Sequence, residues 1–231
     1  MSDISELIPR LAIDTSTEYL SVALQTKCGI FLRHKKVVNK HSDFIIPFIL
    51  DVLKQANISL NEIQLIAYTA GPGSFTGLRI TLSVVKGIAL PRNIPLVAIP
   101  TLDHIAYQVH NINPQSNIIA LMDAKINEIF IAQYQSSPFK KIKSDFILRK
   151  NSDEFQTLLT QDNMIIISNN NFHENEITVK NILVRNPKAD QLFKLLDNTT
   201  NYSMSNAKNS TLMYIRNKVA LTHQEQRLKV K

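Results

Sequence analysis

The stretch TAGPGSFTGLRI, residues 69–80, sets glycines at 71, 73 and 77 and hydroxyls at 74 and 76 between two apolar runs. That mixture suits a backbone cradle for a phosphate, or a turn presenting a nucleophile. Spacing decides among the templates. A Walker A loop needs G-x-x-x-x-G-K-[ST], whereas Gly71 and Gly77 are six apart and Leu78 follows. A dinucleotide fingerprint would need glycine where Thr76 stands. A nucleophile elbow needs glycines flanking Ser74, and those positions hold Pro72 and Thr76. What remains is a strand, a tight turn and a helix. The first N–H groups of that helix, with Ser74, Thr76 and Arg79 beside them, could meet an anion. Alternatively, the glycines only let the helix lie close to the sheet.

Two carboxylates invite the same question. Asp14, followed by Thr15, Ser16 and Thr17, closes the apolar run LAID. There it could orient a metal-bound water beside a phosphate, or sit in a turn that satisfies its own backbone. Asp123 closes a similar run, IALMD, with a hairpin turn directly after it. His34 and His41 are seven apart, not the three or four of a helical zinc pair. His41, Ser42 and Asp43 are contiguous, unlike triad members, which converge from separate segments. His104 sits on an amphipathic stretch and reads as a packing or surface histidine. The lone cysteine, Cys28, has no neighbouring base to activate it and no partner for a disulfide.

These residues need elements to position them. LAIDTS, LSVALQT and IFLRHKKVV read as three strands, with a Lys-Cys-Gly turn between the second and third. Residues 41–57 carry Ile45, Ile49, Val52, Leu53 and Ala56 at helical spacing, with Ser42 or Asp43 as a cap. Pro47 must lie near the first turn or disturb that helix. Ser59 and Glu62 have capping-box spacing. IQLIAYT is a buried strand. GLRITLSVVKGIAL is a helix with the stripe Leu78, Leu82, Val85 and Ala89, stopped by Pro91. IPLVAIP is a strand, and TLDHIAYQVH a helix capped by Thr101. The order to residue 110 is β-β-β-α-β-α-β-α. NINPQS, 111–116, reads as a linker. Beyond it NIIALMDA, EIFIAQYQ, KIKSDFILRK, MIIIS and NILVRN read as strands, and 198–210 as a loop. Both halves open with an apolar strand ending in Asp, which suggests two related lobes, 1–110 and a smaller 111–231.

Composition sets the class. At 231 residues, 44% hydrophobic and 19% charged, the chain is globular rather than disordered. No run approaches roughly 20 apolar residues, and the N-terminal residues lack a signal-peptide core. A reducing cytoplasm and no membrane are expected. The net charge of +7 favours an acidic partner, nucleic acid among the candidates. Positive charge gathers at Lys140, Lys141, Lys143, Arg149 and Lys150, and in the tail from Arg216 through Lys218, Arg227, Lys229 and Lys231.

LAIDTSTEYLSVAL, HSDFIIPFI, IAYTAGPGSFTGLRI, IPLVAIPTL, MDAKINEIFIAQY and YIRN, in this order, resemble the bacterial TsaB family, also called YeaZ. GPGSFTGLRI is the specific piece, and the likeness is strong over about 1–135. The resemblance implies a two-lobed α/β fold of the actin/Hsp70/sugar-kinase superfamily, each lobe ribonuclease H-like with a mixed sheet. It also implies a part in forming threonylcarbamoyladenosine at tRNA position 37. In that part the chain is a non-catalytic subunit that forms a heterodimer with a TsaD-like catalytic subunit, activates it and helps recruit a TsaE-like ATPase. It needs no cofactor of its own, with ATP or ADP and magnesium entering the assembled complex. A homodimer is left open for the chain alone, and tRNA contact is indirect or through basic patches. The catalytic relatives hold a metal on a histidine pair, where the corresponding helix here offers only His41. Helices over about 41–56 and 76–91 would form the subunit interface. Asp14, Thr15, His41, Gly71, Gly73, Ser74, Thr76, Gly77, Arg79 and Asp123 are the nucleotide or partner-interface candidates. Thr81 stands where the family usually has glycine, and Pro91 where a small residue is usual. The competing reading is a nucleotide-binding phosphotransferase or ATPase using Asp14 and Asp123 with magnesium. A peptidase-like protein is a third reading, opposed by the failed elbow and the missing triad.

Overall fold

The computed structural model describes residues 4–169, 182–199 and 201–215. The basic tail from Arg216 onward lies outside the described residues, as does the Arg216–Asn217 end of YIRN.

The first sheet is built from β1 (Arg10–Asp14), β2 (Tyr19–Thr26), β3 (Gly29–Lys36), β4 (Leu65–Gly71) and β5 (Leu96–Pro100), in the order β3-β2-β1-β4-β5. β1, β2 and β3 are antiparallel, and β4 and β5 run parallel to β1. β1 and β4 are buried along their whole lengths, as expected of central parallel strands covered on both faces. Gly29 closes the β2–β3 hairpin at φ +142°, a backbone state open to glycine.

One face of this sheet carries α1 (His41–Ala56) and α2 (Phe75–Ala89). Ile45, Ile49, Val52 and Leu53 of α1 and Val85, Ile88 and Ala89 of α2 share a core with Leu11, Ile13 and Tyr68. α1 begins directly at His41, with Lys40 before it and no side-chain cap, so neither Ser42 nor Asp43 caps it. Ser42 donates instead to Asp43. Pro47 lies inside α1 and cannot donate the i→i−4 bond to Asp43. The Ser59–Glu62 capping box forms, with the Ser59 N–H 2.8 Å from Oε1 of Glu62. α3 (Thr101–Tyr107) is shorter than its periodicity suggests, and Thr101 is its uncapped first residue. The His110 side chain takes the Tyr107 carbonyl at 2.6 Å, which suits the end of a helix.

The second sheet holds β6 (Asn117–Lys125), β7 (Glu128–Gln135), β8 (Lys140–Arg149), β9 (Met164–Ser168) and β10 (Leu183–Val184), in the order β10-β9-β6-β7-β8. α4 (Asp153–Leu159) packs on one face. α3 lies against the other, between the sheets. The strand order repeats that of the first sheet, with β6 in the place of β1. The two related lobes, each ribonuclease H-like with a mixed sheet, are therefore present, and the fold is of the two-lobed actin/Hsp70/sugar-kinase class.

The chain then turns back. α5 (Asp190–Asn198) lays Leu192, Phe193, Leu195 and Leu196 on the second face of the first sheet, beside Ala12, Ala67 and Val97. Tyr202 and Met204 follow it there, and the chain then rounds the β5 edge so that Ala207 and Leu212 join the core under α1 and α2. Ser205 and Leu96 exchange N–H···O bonds of 2.8 Å, closing the β5 edge. The expected second lobe, 111–231, thus gives up α5 and residues 201–212 to the first, because they supply apolar cover to both of its faces.

Candidate functional site

β1 and β4 run side by side, so the turns that follow them, 14–17 and 71–74, lie against each other. The Ser74 N–H donates to the Ser16 carbonyl at 2.8 Å. The hydroxyls of Thr15 and Thr81 meet at 2.7 Å in a buried space. The glycines serve this contact. A Cβ on Gly73 would stand 2.5 Å from the Ser16 oxygen, and one on Gly77 would strike the Thr15 carbonyl. Gly71, at φ +119°, would place a Cβ 2.7 Å from the Met213 carbonyl oxygen. Close packing thus accounts for all three. Ser74 caps α2 by accepting from the Gly77 N–H at 3.2 Å. Two donors at this helix start are therefore committed to the chain itself.

Asp14 is buried in the first turn. Its Oδ1 accepts from the N–H and the hydroxyl of Ser16, at 2.9 and 2.8 Å. Its Oδ2 lies 2.9 Å from Nδ1 of His104, whose Nε2 donates to the Lys188 carbonyl at 3.0 Å. His104 is thus neither a surface residue nor mere packing. It is a buried bridge between residues that lie 90 and 84 positions away, and no local pattern marks it.

Asp123, on β6, meets Nζ of Lys125 at 3.1 Å and of Lys150 at 3.2 Å. Burial pushes its carboxyl up, but hydrogen bonds from the two lysines outweigh that and hold it below the usual carboxylate range. Asp123 lines a cleft of about 680 Å³ between the lobes, together with Ser16, Thr17, His41, Ser74 and Phe130. Residues 212–215 form another wall. His41 starts α1, and its Nε2 donates to the Thr17 carbonyl at 3.0 Å.

The candidates therefore separate into three groups. His41, Gly73, Ser74 and Asp123 line the cleft. Asp14, Thr15, Gly71 and Gly77 are buried beneath it. Thr76 and Arg79 are exposed on the first turn of α2, where the Arg79 guanidinium lies 3.5 Å from the Phe75 ring centre. Asp14 is sealed away from the cleft that Asp123 lines, so this chain does not assemble the magnesium pair expected of a phosphotransferase. Among the described residues no three His, Cys, Asp or Glu side chains are grouped to hold a metal. Lys125, the lysine of the lining, is paired with Asp123. This donor set does not fit a magnesium-bound polyphosphate within the chain alone.

A second feature lies on the outside. Ile46 and Leu50, one helical turn apart on α1, are about half exposed, as are Phe75 and Leu90 near the two ends of α2. Among the described residues no helix is long and apolar enough to cross a membrane. The basic cluster on β8 is reduced by internal pairing. Lys141 bonds Asp103 and Asp145 at 2.6 and 2.7 Å, and Lys150 bonds Asp123.

Comparison with known proteins agrees with this geometry. Residues 34–230 match the family model described as TsaD: tRNA N6-adenosine threonylcarbamoyltransferase. The tRNA threonylcarbamoyladenosine biosynthesis protein TsaB of Escherichia coli K12 is 36% identical over 125 residues, 54% of each chain. Its Haemophilus influenzae counterpart is 33% identical over 141 residues, 59% of this chain and 56% of that one. The chain spans about half the length of the curated relatives it matches. The solved structure of YeaZ from Pseudomonas aeruginosa superposes with a TM-score of 0.72 over 89% of this chain and 98% of its own, at 23% identity, which speaks for the fold. The chain belongs to the tRNA N6-adenosine threonylcarbamoyltransferase family, TsaD, and within it to the TsaB/YeaZ group.

Proposed function

We propose that this chain is a non-catalytic subunit in the formation of threonylcarbamoyladenosine on tRNA, binding and activating a TsaD-like transferase and helping to recruit a TsaE-like ATPase. The observation that carries the reading is the α1/α2 face. A helix pair already packed on its own sheet has no need of exposed Ile46, Leu50, Phe75 and Leu90. Apolar side chains of this size exposed along one helix pair suit a protein interface. The interior supports the same role. Asp14 is bound by Ser16 and His104, and Asp123 by two lysines, so both carboxylates act as structural ties.

Arg79, exposed beside Phe75, would in this reading meet a carboxylate or phosphate of the partner. ATP or ADP with magnesium belongs, in this reading, to the assembled complex. Alone, the same face supports a homodimer. Contact with tRNA is left to the partner or to the exposed cations Lys140, Lys143 and Arg149.

The deciding measurement is nucleoside mass spectrometry of tRNA after depletion of the protein. Loss of threonylcarbamoyladenosine is expected, and an unchanged level would overturn the reading. Calorimetry of the isolated chain with magnesium-ATP separates it from the phosphotransferase alternative, which requires tight binding by this chain by itself.

A further inference from the structure

The GPGS loop opens α2 and so fixes one end of the apolar face. The C-terminal return segment, α5 with residues 201–215, holds that loop from two sides. On one side the contact is direct. The Met213 N–H donates to the Ala70 carbonyl at 2.8 Å, and the Met213 carbonyl lies so close to Gly71 that a Cβ there would stand 2.7 Å away. The Tyr68 hydroxyl, on the same strand, donates to the Thr211 carbonyl at 3.0 Å. On the other side the contact runs through a buried line of hydrogen bonds. Lys188, two residues ahead of α5, offers its carbonyl to His104, and His104 engages Asp14. Asp14 holds Ser16, and the Ser16 carbonyl accepts from Ser74, the cap of α2. The Ala189 N–H donates to Ser21 on β2 at 2.9 Å, pinning the origin of this line to the sheet.

We propose that the return segment is a clamp that sets the pose of the GPGS loop and the first turn of α2. Loosening it would alter the partner face without touching a residue on that face. The geometry favours a clamp over simple packing because the two contacts reach the loop from opposite ends, Ala70–Gly71 and Ser74. The clamp concerns the loop itself, and its effect on partner binding rests on the reading given under Proposed function.

Hydrogen exchange on the full chain tests this without any partner. Tyr68→Phe removes the bond to Thr211 at almost constant volume. Gly71→Ala drives a Cβ into the Met213 carbonyl. In each variant the amides of residues 73–78 are expected to exchange at least about tenfold faster while β1 and β2 keep their protection. A lower affinity for the TsaD-like subunit should accompany it. Faster exchange at 73–78 with unchanged partner affinity would support the clamp and remove the assigned partner face. Unchanged exchange at 73–78, while amides of 205–215 exchange faster, would overturn the clamp. If Gly71→Ala fails to fold, Tyr68→Phe and His104→Gln carry the same readout from the two sides.

Discussion

The hydroxyl of Thr81 illustrates how much one atom can do in this protein. Where the resemblance leads one to expect glycine, the chain has a threonine whose Oγ1 meets that of Thr15 in a space without solvent. Thr81→Val keeps the shape and leaves Thr15 with a buried, unpaired hydroxyl. It should destabilise by about 1–3 kcal/mol in urea melts, while the double variant with Thr15→Val should cost less than the sum of the two singles. Asp123 makes an electrostatic prediction. Its folded carboxyl titrates below its ordinary value of 3.8, so the stability it adds is present above that pH and fades as pH falls through the folded value. Lys150→Met removes one of the two lysines responsible. The Asp123 carboxyl, followed by carbon-detected NMR, should then titrate higher, and the acid limb of the stability curve should begin at a higher pH. An unmoved titration would assign the effect to Lys125 alone.

At the scale of elements, the two glycines of α2 separate packing from propensity. Gly77 faces the Thr15 carbonyl with no room for a Cβ, whereas Gly87 has nothing within 4 Å. Gly77→Ala should destabilise by about 1–3 kcal/mol because backbone must move. Gly87→Ala should stabilise by roughly 0.5–1 kcal/mol through helix propensity. Thermal melts of the pair check both signs. Most elements were legible in the sequence because burial imposes a period. The α1 stripe of Ile45, Ile49, Val52 and Leu53 and the alternation of β7 could be read directly. The helix starts were not. Ser42, Asp43 and Thr101 have capping chemistry, but His41 and Thr101 begin helices that follow straight from loop or strand, without a side-chain cap. The GPGS loop was legible as a strand-to-helix turn. Whether its glycines served an anion or close packing was not, because the carbonyls they accommodate belong to Thr15, Ser16 and Met213, remote in sequence.

The whole molecule is a duplicated sheet whose two copies share one strand order. The paired runs LAID and IALMD signal it in the sequence, since β1 and β6 hold the same central place. The return of α5 could not be seen, because an amphipathic helix does not name the sheet it covers, and His104 meets Lys188 only once that return is made. The outer face bears the prediction that belongs here. The double variant Ile46→Glu and Leu50→Glu replaces exposed apolar side chains, so stability should change by less than about 0.5 kcal/mol. On the reading given under Proposed function, self-association by light scattering and binding to the TsaD-like subunit should both be lost.

The return of α5 also bears on how the chain is made. Leu192, Phe193, Leu195 and Leu196 complete the second core of a sheet whose strands are finished by Pro100. During vectorial synthesis the first lobe therefore leaves the ribosome with one apolar face only partly covered, by α3, and stays so until α5 emerges. A nascent chain arrested soon after residue 110 should accordingly be protease-sensitive and retained by trigger-factor-type chaperones, while one arrested far enough along to expose α5 should be released. The late-made helix is in effect an intramolecular substitute for the chaperone.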